Sequence, residues 1–102
     1  MEHKIIKLKE LTKYQKLNIV SNTIINKKKG TITLFAFDKD QSLSPHTSPY
    51  DAFVYIVDGE AEISISSKLY KLKKGDFIIM PANKPHSVKA TKKLKLLLVM
   101  IK

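Results

Sequence analysis

The 102-residue chain has no cysteine, which excludes disulfides, thiolate nucleophiles and cysteine-based zinc sites. It has no arginine either, since all 19 of its basic residues are lysine. Arginine is the usual bidentate reader of guanine edges and the better fork for phosphate, so sequence-specific nucleic-acid binding is not expected. Long apolar runs are missing as well: the longest, Leu96 to Ile101, is far too short to cross a bilayer. The first residues, Met1-Glu-His-Lys-Ile-Ile-Lys-Leu-Lys9, interleave charges and contain no apolar core, so a secretory leader is not expected. A Gly-x-Ser-x-Gly elbow, a phosphate-cradling glycine loop and a His-Glu-x-x-His helix are all absent. These absences lead to the expectation of a soluble, cytoplasmic protein with neither a membrane nor a nucleic acid as partner.

What is present suits one domain, large enough to fold alone and small enough for a partner chain to matter. The net charge is +10, but the lysines gather where turns are expected: Lys27 to Lys29, Lys73 and Lys74, Lys92 and Lys93. Charged turns are solvated whether or not they bind anything, so the basic balance implies at most weak attraction to polyanions or acidic ligands.

Short apolar runs separated by turn residues give a strand pattern through most of the chain. Residues 1–18 form an N-terminal segment, read as a short strand from Ile5 to Leu8 followed by a turn or 3₁₀ stretch, with Leu8, Leu11, Tyr14 and Leu17 at approximate helical spacing as the alternative. Residues 19–102 form the main body. Ile19 to Ile25 and Thr31 to Asp38 read as a hairpin around Asn26-Lys-Lys-Lys-Gly30, with the glycine available for positive φ. Ala52 to Val57 and Glu60 to Ser66 flank Asp58-Gly59, a strong hairpin signal. Leu69 to Leu72, Phe77 to Met80, His86 to Ala90 and Leu94 to Ile101 complete the set. Many short strands with closely spaced turns indicate an all-β sandwich or barrel. Phe53 to Val57 and Leu96 to Ile101 are apolar on both faces. One face can fill an interior, and the other needs covering by the N-terminal segment or a second copy of the chain. A homodimer is the expected state.

Two stretches carry the chemistry: His46-Thr-Ser-Pro-Tyr-Asp-Ala-Phe-Val-Tyr-Ile-Val-Asp-Gly59 and Gly75-Asp-Phe-Ile-Ile-Met-Pro-Ala-Asn-Lys-Pro-His86. Their spacing resembles the two motifs of the cupin superfamily, from about Asp38 to Ala90. The first motif reads glycine, five residues, His-x-His, three or four residues, glutamate, six residues, glycine. Gly59 and His46 anchor it here, with Asp40 at the opening glycine, Ser48 at the second histidine and Ala52 at the glutamate. The second reads glycine, five residues, Pro-x-Gly, two residues, histidine, three residues, asparagine. Gly75, Pro81 and His86 match it, with Asn83 at the central glycine and Ala90 at the final asparagine. Asparagine tolerates the left-handed conformation better than other non-glycine residues. The resemblance implies a single-domain cupin barrel (a jelly-roll-like double-stranded β-helix).

In metal-binding cupins three histidines and a carboxylate hold iron, manganese, nickel or zinc, with positions left for water or substrate. The resemblance implies that only His46 and His86 of that set remain, enough for at most a weakly held divalent ion. Residues 46, 48 and 52 share parity, so a regular strand would turn them to one face, continued by Val54 and Ile56. The expected pocket is therefore lined by His46, Ser48, Ala52, Val54 and His86. Asp51 would point to the opposite face unless a bulge near Pro49 re-aimed it. For the two histidines three readings stand: satisfied pocket residues bonded to each other or to Ser48, direct recognition of a small polar or anionic ligand, and weak or assisted metal binding. Such a pair also makes a pH-sensitive pocket. Glu60 and Glu62 have outward alternation, and His3 lies in the tail. Met80 and Met100 suit core filling or a cavity wall. The functions that follow are small-molecule binding inside the barrel, a metal-dependent enzyme of dioxygenase, isomerase or decarboxylase type, or an interaction protein using its two-faced sheets.

Overall fold

A computed structural model describes residues 3–102. Nine strands form two antiparallel sheets. The strands are β1 (Ile19–Lys27), β2 (Gly30–Phe37), β3 (Ser42–His46), β4 (Asp51–Asp58), β5 (Glu60–Ile65), β6 (Lys68–Lys73), β7 (Phe77–Met80), β8 (His86–Ala90) and β9 (Leu94–Ile101). One sheet has the order β1-β2-β9-β4-β7 and the other β3-β8-β5-β6. Facing positions bury Phe37, Val54, Ile56, Ile63, Val88, Leu94 and Leu96 between them. This is the expected all-β barrel.

Several local expectations change. Ile5 to Leu8 is not a strand, although the 3₁₀ stretch expected after it does form, as a single turn at Leu8–Glu10. Among the described residues no strand pairs with it, and Ile5 is fully exposed. Asp58-Gly59 does not join a hairpin: β4 pairs with β7 and β9, whereas β5 pairs with β6 and β8. The chain crosses between sheets at Gly59, whose φ is 82°. A Cβ there would sit 1.8 Å from the Lys93 carbonyl oxygen, so glycine serves the crossing and not a hairpin. The β1–β2 hairpin does form, with Lys27 opposite Gly30. Gly30 is needed for close approach instead of positive φ, because a Cβ would lie 2.9 Å from the Met100 carbonyl oxygen. The β5–β6 hairpin turns at Ser66 and Ser67, both with positive φ (49° and 69°), as a two-residue hairpin turn of type I′ demands.

The two replaced motif glycines keep the glycine conformation: Asp40 has φ 70° and Asn83 φ 64°. Aspartate and asparagine are the side chains that enter this region at least cost.

The N-terminal segment closes one end of the five-stranded sheet from outside. Lys95, buried on β9, donates from Nζ to the Lys9 carbonyl at 2.6 Å and lies 4.7 Å from the Tyr14 ring centroid. The Tyr14 hydroxyl donates to Asp58 Oδ2 at 3.0 Å. Burial, followed by that hydrogen bond and the carboxylate charge, raises the Tyr14 pKa. Among the described residues no helix is long and apolar enough to cross a membrane.

Candidate functional site

His46 and His86 meet because β3 and β8 are neighbours in one sheet and the two residues are directly paired in its ladder. A bulge between Leu43 and His46, at Ser44-Pro45, sets that register. The bulge near Pro49 that alone would have re-aimed Asp51 does not form, since residues 47–50 are the loop between the sheets, and Asp51 stays outside as expected. One regular strand therefore does not carry His46, Ser48 and Ala52 to a common face. His46 ends a strand of one sheet, while Ala52 and Val54 begin the inner face of β4 in the other. The crossing still brings His46, Ser48, Ala52, Val54 and His86 around one cavity of about 180 Å³.

Most of that wall is apolar. Phe35, Phe37, Leu43, Val88, Leu96 and Leu98, none of them singled out by motif spacing, complete it with Met80 and Met100. The signal that could have found them is strand parity: Leu96, Leu98 and Met100 alternate along β9, and Phe35 sits opposite Leu96. Because β9 is apolar on both faces, parity alone did not say which set faces inward. A wider depression of about 380 Å³ lies over Glu60, Glu62, Lys71 and Lys73. It is a solvent-facing groove of alternating charges, without a histidine, and the smaller, less open cavity is the better candidate for recognition.

The rings stand edge to face, with centroids 4.4 Å apart, an interplanar angle of 71° and the two Nε2 atoms 3.1 Å apart. His46 Nδ1 lies 2.8 Å from the Ser44 carbonyl oxygen, and His86 Nδ1 lies 3.2 Å from that of Lys84. Carbonyls only accept, so each of these contacts requires a hydrogen on Nδ1. The Nε2–Nε2 contact requires a third hydrogen. Two neutral imidazoles carry one each. The neutral pair thus leaves one of three contacts unmade, and a proton, a cation or a ligand donor would complete it. Burial, and secondly the neighbouring His46, lowers the His86 pKa, although its contact to Lys84 opposes the shift.

The other polar groups are already engaged. Ser48 Oγ accepts from the Tyr50 amide at 3.3 Å and lies 4.0 Å from Met100 Sδ, so neither histidine uses it. Asp51 Oδ1 accepts from the Ala82 amide at 2.8 Å, and the Ser48 carbonyl accepts from the Asn83 amide at 2.7 Å. These two bonds tie the loop after β3 to the loop after β7 at the cavity mouth. Asp51 is exposed and does not enter the cavity.

With metal–nitrogen distances of about 2.0–2.1 Å, nitrogens at this separation would subtend roughly 95–100°, suiting two adjacent corners of a coordination shell. No group of three or more metal-binding side chains occurs among the described residues. Two imidazoles facing an apolar wall do not fit a metal held by the protein alone.

A family model described as a cupin domain matches residues 33–102. A conserved protein of unknown function from Streptococcus pyogenes is 34% identical, with TM-score 0.95, over 100% of this chain and 90% of that one. A cupin 2 conserved barrel domain protein from Leptotrichia buccalis is 38% identical, with TM-score 0.92, over 95% of this chain but only 47% of its own. A cupin superfamily protein from Desulfitobacterium hafniense shares 23% identity and the fold, with TM-score 0.93 over 99% of this chain and 93% of that one. A comparison with curated proteins finds no match. Motif spacing, left-handed turns, two-sheet topology and the matched family model agree: the chain belongs to the cupin family.

Proposed function

We propose that this cupin binds a small molecule with an apolar body and one polar head inside the barrel. The observation that carries the reading is the cavity itself, about 180 Å³, mostly apolar, with an under-hydrogenated imidazole pair at its edge. An engineered cavity of about 150 Å³ holds benzene, so the body would have roughly six to nine heavy atoms. The head would lie against His46 and His86, where it can satisfy the contact that the neutral pair leaves unmade. The apolar wall shifts the expected ligand from simply polar or anionic toward amphiphilic.

Backbone amide NMR during titration with phenol, benzoate and a short-chain alcohol tests this. Shifts should gather on Leu43, His46, His86 and Leu98 and disappear in Ala52→Leu, which fills the cavity. Shifts of equal size in that variant, or none in the wild type at millimolar probe, would sink the reading.

The Nε2 separation of 3.1 Å favours one second reading: a metal-assisted enzyme in which substrate and water supply the remaining ligands. Protein purified without chelators would then carry stoichiometric iron, manganese, nickel or zinc. Unchanged metal content in His46→Ala would count decisively against it.

A further inference from the structure

The chain carries 19 lysines and 9 acidic residues, yet among the described residues none of them lines the cavity. Asp51, next to Ala52 in the sequence, is held outside by the Ala82 amide. The net charge of +10 attracts anions from a distance, but no lysine follows them inside. A carboxylate or ammonium head would find no counter-ion there, and an unpaired charge among apolar walls is costly. The polar side chains that remain are His46, Ser48 and His86.

These three set a specific demand. Each Nδ1 faces a backbone carbonyl, Ser44 at 2.8 Å and Lys84 at 3.2 Å, and a neutral imidazole has a single hydrogen. With both hydrogens on Nδ1, the two Nε2 atoms are bare acceptors 3.1 Å apart. That corner of the cavity lacks a hydrogen. Ser48 has the opposite surplus. Its Oγ accepts from the Tyr50 amide, so its own hydrogen is left to donate. The partner the fold gives that hydrogen is Met100 Sδ at 4.0 Å, a weak acceptor. The complement of such a site is a group that donates one hydrogen and also accepts one. A hydroxyl does both, whereas a carboxylate only accepts and an ammonium only donates.

Resting on the cavity-binding reading above, we infer that the head of the ligand is an uncharged hydroxyl, on a compact phenol or cyclic alcohol. Its O–H donates to the Nε2 pair, and its oxygen accepts from Ser48 Oγ. His46 and Ser48 are thereby specificity-determining residues and not simply parts of the wall. They reach the head from the same rim, since His46 ends β3 and Ser48 lies in the loop that follows. Hydroxyl recognition of this kind rejects an isosteric analogue that leaves the polar atoms of the site unpaired.

The test titrates the full chain at about pH 8, where an ordinary histidine is neutral. Four probes of similar size are used, phenol, toluene, benzoate and benzylamine, with binding read from backbone amide NMR. Phenol should bind roughly tenfold tighter than toluene, although toluene is the more apolar. Benzoate and benzylamine, both ionised, should bind at least ~10-fold more weakly than phenol. His46→Phe keeps the ring and removes an acceptor, so toluene should then bind tighter than phenol. Ser48→Ala, the milder change, should narrow the preference for phenol and leave toluene binding unchanged, which keeps the test decisive where His46→Phe does not fold. Toluene, benzoate or benzylamine binding to wild type as tightly as phenol would overturn the hydroxyl assignment while leaving cavity binding intact. So would a preference for phenol that is unchanged in either folded variant. Failure of all four probes at millimolar concentration would instead overturn the cavity reading, and the hydroxyl assignment with it.

Discussion

Ala52→Glu should turn the partial cage into a metal site, because it returns one carboxylate to the cavity beside two pre-paired imidazoles. Ala52 is buried and faces the cavity from β4. Glutamate adds four heavy atoms, roughly 120 Å³ at no more than ~30 Å³ each, which the cavity of about 180 Å³ accommodates. Without metal the new carboxyl group lacks a partner among apolar walls, and such burial costs about 1–3 kcal/mol. For a domain of this size that lowers Tm by about 5–20 °C. With metal, two imidazoles and one carboxylate make the facial triad used by non-haem iron sites. Manganese, nickel or zinc at a hundred times Kd should return ~2.7 kcal/mol, about 10–20 °C. Wild type, with two ligands, should shift by no more than a degree or two. Thermal unfolding followed by circular dichroism, with and without each ion, makes the comparison. A folded Ala52→Glu variant indifferent to millimolar metal would refute the assignment of position 52 to the ligand set. So would an equal metal shift when His86→Ala is added.

Gly59→Ala should cost at least ~3 kcal/mol in urea unfolding or prevent folding, since φ is 82° and a Cβ would collide with the Lys93 carbonyl. Gly75→Ala, also at positive φ (94°) but with open space around the Cβ, should cost distinctly less. Asp51→Ala should lose the bond to the Ala82 amide, about 0.5–1.5 kcal/mol, and leave metal response unchanged, which separates a loop clasp from a ligand. The lowered His86 pKa predicts the sign of a pH effect. Above the unfolded pKa of ~6.5 both states hold a neutral ring and the stabilisation is intact. As pH falls below that value the unfolded chain gains a proton that the folded chain resists, so stability falls until the depressed folded pKa is reached. The urea midpoint should therefore decline on acidification from about pH 6.5, and His86→Gln should flatten the decline; a rise on acidification would contradict it.

The parts of the fold legible in the sequence were those set by local physics. β7, β8 and β9 begin and end at Phe77–Met80, His86–Ala90 and Leu94–Ile101 as their apolar runs suggest, because Pro81, the Lys92-Lys93 turn and Gly75 interrupt them. β3 was not legible: Ser42-Leu-Ser-Pro-His46 contains one large apolar residue and a proline, and its strand state comes from pairing with β8. Asp58-Gly59 has the same local chemistry at a hairpin and at a sheet crossing. Only the approach of Lys93, distant in sequence, distinguishes them. The candidate site divides in the same way. Counting placed His46 and His86 near one another, but the shortage of hydrogens between them depends on the Ser44 and Lys84 carbonyls, which any residue would supply. Backbone geometry, invisible to motif spacing, thus sets the chemical demand of the pair. It follows that replacing Ser44 or Lys84 by alanine should leave that demand intact, whereas shifting the bulge at Ser44-Pro45 should abolish it.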